Sequence, residues 1–148
     1  MVWFLNEYQI LWLAKEYPKL FYDRLHNNIL GTLEFSRQYG KLEKITDSYE
    51  IRINLNMGNL LPEVYETKGK IERFAKIKNK KLVDFHQYED GKLCLIRSDE
   101  YEKWYPHGLE LHRLMDNIVT HLYWVSYFYR YDKEPWPSQP HGGAYFPI

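Results

Sequence analysis

The feature that most constrains this chain is a helical stripe late in the sequence. Leu111, Leu114, Met115, Ile118, Leu122, Val125 and Tyr129 recur at three-to-four spacing, which predicts one helix over roughly 109–131. Pro106-His107-Gly108 can initiate it, and Pro135, Pro137 and Pro140 end it. So broad an apolar stripe must be laid on a partner. The partner on offer is a series of short alternating segments upstream. In Tyr49-Glu50-Ile51-Arg52-Ile53-Asn54-Leu55-Asn56 the apolar residues share one face and the polar ones the other, as in a half-buried strand.

Weaker signals extend this strand into a sheet. Leu33 and Phe35 alternate with polar neighbours over 32–39. Residues 60–67 read as a strand entered through Pro62, where a proline costs no interior ladder bond. Residues 74–83 are expected to supply a fourth, weaker strand, and Met57-Gly58-Asn59 a turn. Short spacings favour an antiparallel meander over crossover units. At the other end, Asn6 can cap a helix over 7–17, with Gln9 reaching back to it and Pro18 ending it. Residues 19–28 are expected to add a further turn. The order is helix, four-stranded antiparallel meander, helix: an α+β layer architecture in a single domain over 1–148, with 132–148 an extended Pro/Gly/aromatic tail.

Composition narrows the function classes. The chain has 148 residues, enough for one domain with a packed core. Its twenty basic and twenty acidic side chains balance, without the basic excess that phosphate neutralisation demands of a nucleic-acid binder. Lys68, Lys70, Arg73, Lys76, Lys78, Lys80 and Lys81 make 68–81 locally basic, read here as a solvated surface. Fourteen tyrosines and five tryptophans place many amphipathic rings at the core's edge or on a binding face. No apolar run reaches the length of a membrane span, and the N-terminus lacks a basic region and a cleavage site. One cysteine cannot form an internal disulfide, which fits a reducing compartment, so a cytoplasmic protein is expected.

That cysteine, Cys94, follows the turn-forming pair Asp90-Gly91, and His86 lies eight positions before it. A thiol nucleophile needs a lowered pKa or a nearby base, and some exposure. A free cysteine is equally at home as a small buried hydrophobe. His86 can polarise a carbonyl, orient an acceptor or act as base to Cys94, and it can equally be a half-buried structural histidine. A Cys–His hydrolase would need a third, orienting residue, and none is evident. His112 and His121 are nine apart on one predicted helix, with His107 outside it, which is poor spacing for zinc; no metal is expected. The glycines form no phosphate-cradling motif, so no nucleotide cofactor is expected either. Asp99, Glu100 and Glu102 read as a solvated charged loop.

Several of these motifs together resemble the ubiquitin-conjugating (UBC-like) enzymes. The spacing Tyr88-Glu89-Asp90-Gly91-Lys92-Leu93-Cys94-Leu95 matches that family's Tyr-Pro-x-Gly, two residues, then catalytic Cys-Leu, without a gap. Trp104-Tyr105-Pro106 resembles its Trp-x-Pro, with about two extra residues between. Leu61-Pro62-Glu63-Val64-Tyr65 is similar to its proline-led third strand, and Gly31-Thr32-Leu33 to the opening of its first. The family's His-Pro-Asn is replaced by Asp84-Phe85-His86, as in bacterial members where histidine takes the asparagine's place. Glu134-Pro135-Trp136-Pro137 through His141-Gly142-Gly143 resembles the ending of UBC-like proteins in bacterial anti-phage operons of the cyclic-oligonucleotide signalling (CBASS) type, some of which stand alone at this length.

The resemblance implies a UBC fold and a transferase that carries an acyl group as a thioester on Cys94 and passes it to an amine. His86 would be the oxyanion donor or acceptor-orienting group, Asp90 and Gly91 with Tyr88 would set the active-site loop, and Trp104 would pack beside it. The implied partners are a protein with an activated C-terminus, either a nucleotide cyclase or a ubiquitin-like protein, and a separate activating enzyme; no cofactor, metal, nucleic acid or membrane is implied. Two alternatives stay open: an inactive UBC- or RWD-like binding module, and a Cys–His thiol hydrolase.

Overall fold

The structure is a computed structural model that describes residues 2–56 and 60–138. In chain order it has helix α1 (Glu7–Glu16), strands β1 (Leu20–Asp23), β2 (Asn28–Arg37), β3 (Ile45–Asn54) and β4 (Glu63–Glu66), and helix α2 (Lys70–Ile77). Tight helical turns at Leu82–Phe85 and Ser98–Glu100, the one-turn α3 (Tyr101–Trp104) and the long α4 (Leu111–Tyr131) complete it. The strands form one antiparallel sheet in the order β1-β2-β3-β4. The molecule is therefore α+β, with an N-terminal helix, a four-stranded antiparallel sheet and C-terminal helices. The expected turn at Met57-Gly58-Asn59 and the tail residues 139–148, including His141-Gly142-Gly143, lie outside the described residues.

Helix α1 starts as its sequence dictates. The Asn6 side chain accepts from the Gln9 N–H at 2.9 Å, and the Asn6 N–H donates to the Gln9 side chain at 2.8 Å. This reciprocal cap satisfies two donors that the first turn would otherwise leave open.

Two expectations about the sheet are corrected. Residues 74–83 are not a strand; they belong to α2 and the helical turn after it. Ile71 and Ala75, four apart, form the buried face of α2; Lys76 stands in solvent, and Lys70 is half-buried over the Tyr49 ring. The cap comes from the preceding strand: the Glu66 carboxylate accepts from the Lys68 N–H at 2.7 Å and the Ile71 N–H at 3.0 Å. The fourth strand is instead β1, read from sequence as a mere turn. It can approach β2 because Gly31 stands opposite Leu20. A Cβ on Gly31 would lie 2.3 Å from the Lys19 carbonyl oxygen, so a side chain there would push the strands apart.

The core lies between the sheet and α4. Tyr49, Ile51, Ile53 and Leu55 are all buried, as are Leu33 and Phe35 opposite the helix residues Leu114, Met115, Ile118, Leu122 and Val125. Each such aliphatic side chain contributes roughly 1.5–3 kcal/mol by leaving water. Hydrogen bonds fix the helix on the sheet: the Tyr49 hydroxyl meets Ser126 Oγ at 2.6 Å, and the Tyr123 hydroxyl donates to the Glu43 carbonyl at 2.6 Å.

α4 is covered on more than its sheet side, because every residue from Asn117 to Tyr127 is buried. The second cover is the segment leading to Cys94 together with Trp136. Phe85 packs on Phe128 at 5.0 Å, and the Trp124 indole N–H donates to the Trp136 carbonyl at 3.1 Å. The basic stretch 68–81 carries charge pairs: Lys70 with Asp47 at 2.6 Å, Lys76 with Glu72 at 3.1 Å and Lys78 with Asp132 at 2.9 Å. Among the described residues, no helix is long and apolar enough to cross a membrane.

Candidate active site

The chain reaches Cys94 through a loop built in three steps. First, the turn Leu82–Phe85 is closed by the Lys81 N–H donating to the Asp84 carboxylate at 2.9 Å, and Phe85 anchors it in the core. Second, His86 reverses the backbone with φ +56°, in the left-handed region. Asn, Asp and His are enriched there, since their short polar side chains tolerate it. Third, the chain doubles back as a tight hairpin. The Gly91 N–H donates to the Tyr88 carbonyl at 3.0 Å, the Tyr88 N–H to the Lys92 carbonyl at 2.9 Å, and the Lys92 N–H to the Asp90 carboxylate at 3.0 Å.

This hairpin is attached to the free edge of β4. The Glu66 N–H donates to the Gly91 carbonyl at 3.0 Å and the Leu93 N–H to the Val64 carbonyl at 2.8 Å, so residues 91–93 add a short fifth rung of sheet. Gln87 reinforces the tip by donating its side-chain amide to the Gly91 carbonyl at 3.0 Å. The Cys94 N–H then donates to the His86 carbonyl at 2.9 Å. His86, Tyr88, Asp90, Gly91 and Cys94 are thus one continuous hydrogen-bonded piece of chain, with Asp90 and Gly91 in its turn. Trp104 is buried on α3, with Arg113 donating to its carbonyl at 2.7 Å and lying over its ring at 5.6 Å.

The thiol is protected rather than presented. Cys94 is 7% exposed, and burial pushes its pKa above the ordinary value. Two neighbours oppose that shift, a hydrogen bond from the Tyr88 hydroxyl and the Lys92 ammonium, whereas Asp90 adds to it. Tyr88 is 46% exposed, so the group that contacts the thiol also faces solvent. The arrangement keeps Cys94 protonated at neutral pH and places a phenol where it can stabilise a thiolate.

His86 is 6% exposed, and its ring faces α4, edge-on to Trp124 at 4.7 Å and 6.2 Å from the ring of His121. Its tie to Cys94 is through the main chain. Trp124 and His121 were not singled out for the site from sequence, where His121 was weighed only as a metal ligand. The signal was present in the stripe itself, since 121 falls beside Ile118, Leu122 and Val125 on the buried face. His121 is 1% exposed, and burial, with His86 second, drives its pKa down to about 3. Among the described residues no cluster of histidine, cysteine and carboxylate side chains is placed to hold a metal ion.

No family model, no curated protein and no solved structure matches this chain. The site has to be read from its own geometry.

Proposed function

We propose that the protein is a UBC-like cysteine transferase that carries an acyl group as a thioester on Cys94 and passes it to an amine. The observation that carries this reading is the hairpin Tyr88–Lys92. It delivers the chain's single thiol from the edge of a four-stranded meander, at the Tyr-x-x-Gly-x-x-Cys spacing of that family, with a helix before the sheet and a long helix after it.

The chemistry asks little of the protein. The Cys94 thiol gives up its proton as Sγ attacks an activated carboxyl carbon; the C–S bond forms, and the activating group leaves with its electron pair and takes up that proton. An amine then attacks the thioester carbon, the amide bond forms, the C–S bond breaks, and the thiol is regenerated as the amine loses a proton. The thioester already holds the activation energy, so the site must position the amine, stabilise the oxyanion and help remove that proton. Tyr88 and Lys92 favour the thiolate. His86 is the oxyanion donor or acceptor-orienting group in this reading. Asp90 and Gly91 hold the loop's shape, and Trp104 packs at its flank. The donors that suit this chemistry are a nucleotide cyclase or ubiquitin-like protein with an activated C-terminus, loaded by a separate activating enzyme in a bacterial anti-phage system of the CBASS type, in the cytoplasm.

The test is Cys94→Ala. A reductant-sensitive adduct should form on the wild-type protein and be missing from the variant, together with loss of conjugation and of phage protection. Conjugation that survives the substitution removes the transferase reading.

One observation favours a second reading, a non-enzymatic UBC- or RWD-like binding module. Phe4, Tyr8 and Leu11 follow a four-then-three spacing at and before α1, and they are 68%, 77% and 69% exposed. Such an apolar row suits a protein partner. Partner capture that survives Cys94→Ala but fails with Tyr8→Glu would favour the module.

A further inference from the structure

One continuous row of side chains crosses the outer face of the sheet and ends at the thiol. Phe21 stands opposite Leu30, Leu30 opposite Arg52, Arg52 opposite Tyr65, and Tyr65 opposite Lys92, which the hairpin sets against Tyr88. Residues paired across antiparallel strands share a face. The adjacent row, Ile29, Ile53 and Val64, is buried in the core, so this one points away from it. Its ends, Phe21 and Tyr88, are 58% and 46% exposed. Lys92 and Cys94 lie two apart on one extended stretch, on the same side of it.

Two cations in this row have no counter-charge. Neither Arg52 nor Lys92 makes an ion pair or a side-chain hydrogen bond among the described residues; each meets only a ring, Arg52 over Tyr65 at 4.6 Å and Lys92 over Tyr88 at 5.2 Å. Each of the other six arginines meets a carboxylate or a main-chain carbonyl. A ring face holds a cation in place without neutralising it, and leaves its N–H donors open to an anion. The carboxylates bordering the row are engaged elsewhere: Glu50 by the Thr32 hydroxyl, Glu63 by the Tyr65 hydroxyl and Asp90 by the Lys92 main-chain N–H. They would repel a polyphosphate chain, whose charges follow one another every few ångströms. A peptide can space its charges to suit. Neighbouring strands are about 4.8 Å apart, which sets Arg52 and Lys92, two strands apart, about 10 Å from each other along the row. An extended peptide covers that distance in about three residues. The same interval separates Phe21 from Arg52.

We propose that this row is the docking track for an extended acidic segment, the C-terminal end of the acyl donor. The segment places an apolar residue on Phe21 and Leu30, then carboxylates at three-residue intervals on Arg52 and Lys92, and so brings its terminal carbonyl to Cys94. The assignment to the donor rests on the transferase reading; the docking of an acidic segment does not. Arg52 takes its carboxylate through two parallel N–H bonds, Lys92 as a point charge. Both cations are held before binding, which lowers the cost of ordering them.

The test uses the full chain and a fluorescein-labelled peptide of alanine and glycine carrying leucine, glutamate and glutamate at three-residue intervals. Fluorescence anisotropy at low salt should show binding, and replacing both glutamates by glutamine should weaken it at least about tenfold. That comparison is made on the wild-type protein and does not depend on any variant folding. Arg52→Gln should weaken binding about five- to tenfold, Arg52→Lys less, since it keeps the charge and loses the paired bonds, and Lys92→Gln about threefold. Lys41→Gln, at an exposed lysine between β2 and β3, should bind as wild type does. No binding, equal binding of the glutamine peptide, or binding unchanged by Arg52→Gln overturns the proposal. So does tighter binding of a single-stranded oligonucleotide that also depends on Arg52. The same two peptides, supplied as C-terminal thioesters, separate the two readings. The peptide's carbonyl carbon passes to Cys94 Sγ, and the departing thiol carries away the proton; the glutamate peptide should react faster. If neither peptide acylates Cys94 while the glutamate preference in binding holds, the transferase reading fails and the track stands. If both acylate it at one rate and binding shows no preference, the track fails and the transferase reading stands.

Discussion

The main-chain N–H of Cys94 donates to the main-chain carbonyl of His86 at 2.9 Å, closing a loop whose far end is stapled to β4 through Gly91 and Leu93. The thiol is therefore located by backbone geometry and not by a side chain that a single rotation could move. Its environment follows from the same bonds: the hairpin brings Tyr88 and Lys92 to the sulfur, and the left-handed turn at His86 sends that ring inward to α4.

Gly91 is where this arrangement is most easily broken. Its φ is +92°, and a Cβ there would lie 3.0 Å from the Glu66 carbonyl oxygen. Gly91→Ala should cost about 1–2 kcal/mol in chemical denaturation, since the backbone is strained and the β4 staple must lengthen. It should also raise the alkylation rate of Cys94. An alanine variant of wild-type stability would mean that β4 does not hold the hairpin.

The thiol's titration provides a second check. Burial disfavours the thiolate, so the pH profile of Cys94 alkylation should have its midpoint above that of an unfolded cysteine peptide. Tyr88 opposes that shift. Removing its hydroxyl in Tyr88→Phe should move the midpoint further up and slow alkylation at a fixed pH below it by about two- to fivefold. A midpoint that falls in the variant would mean that the phenol shields the thiol and does not stabilise its ionised form.

How much of this was legible in sequence depended on where the information resided. Strand β3 and helix α4 were readable because their periodicity is strict and long. The turn before Cys94 was readable because Asp90-Gly91 carries local turn chemistry. β1 was not, since its four residues become a strand only through the close approach that Gly31 permits on β2. α2 was not, although Ile71, Phe74 and Ala75 stand at helical spacing, because the element is short, charged residues surround them and its cap is Glu66, a residue of the preceding strand. For the site, spacing linked Tyr88, Gly91 and Cys94. The packing of His86 against Trp124 and His121 joins segments more than thirty residues apart in the chain, which no local pattern reports.

His121 gives the acid limb of stability a defined sign. Its folded pKa is near 3 against an ordinary value of 6.5, with His86 the titratable group facing it. The unfolded chain binds the proton first as pH falls. The contribution is therefore complete above 6.5 and is lost progressively down to about 3, at up to about 1.4 kcal/mol per pH unit. Urea denaturation across this window should show a shallower acid slope for His121→Leu than for wild type. Parallel slopes would place the acid sensitivity elsewhere.

Asp47 ties the elements that flank the site. Its carboxylate accepts from Lys70 Nζ at 2.6 Å, Ser126 Oγ at 2.8 Å and the Ser48 N–H at 2.8 Å, with Arg130 at 3.4 Å, so β3, α2 and α4 meet on one group. Burial alone would raise its pKa, but the hydrogen bonds from Lys70 and Ser126 outweigh burial and hold it below the ordinary carboxylate value. A depressed folded value stabilises the protein above the unfolded pKa, and that contribution is lost as pH falls through the folded one. Asp47→Asn should then cost about 1–3 kcal/mol at neutral pH, because the Lys70 ammonium loses its counter-charge in a site largely closed to water. The difference from wild type should shrink below about pH 3.9, where the unfolded carboxyl is protonated and the folded one begins to follow. Urea titrations of both proteins at neutral and acid pH measure it directly. A penalty that stays constant down to pH 2 would mean that the carboxylate's charge contributes nothing and that its shape alone joins α2 to α4.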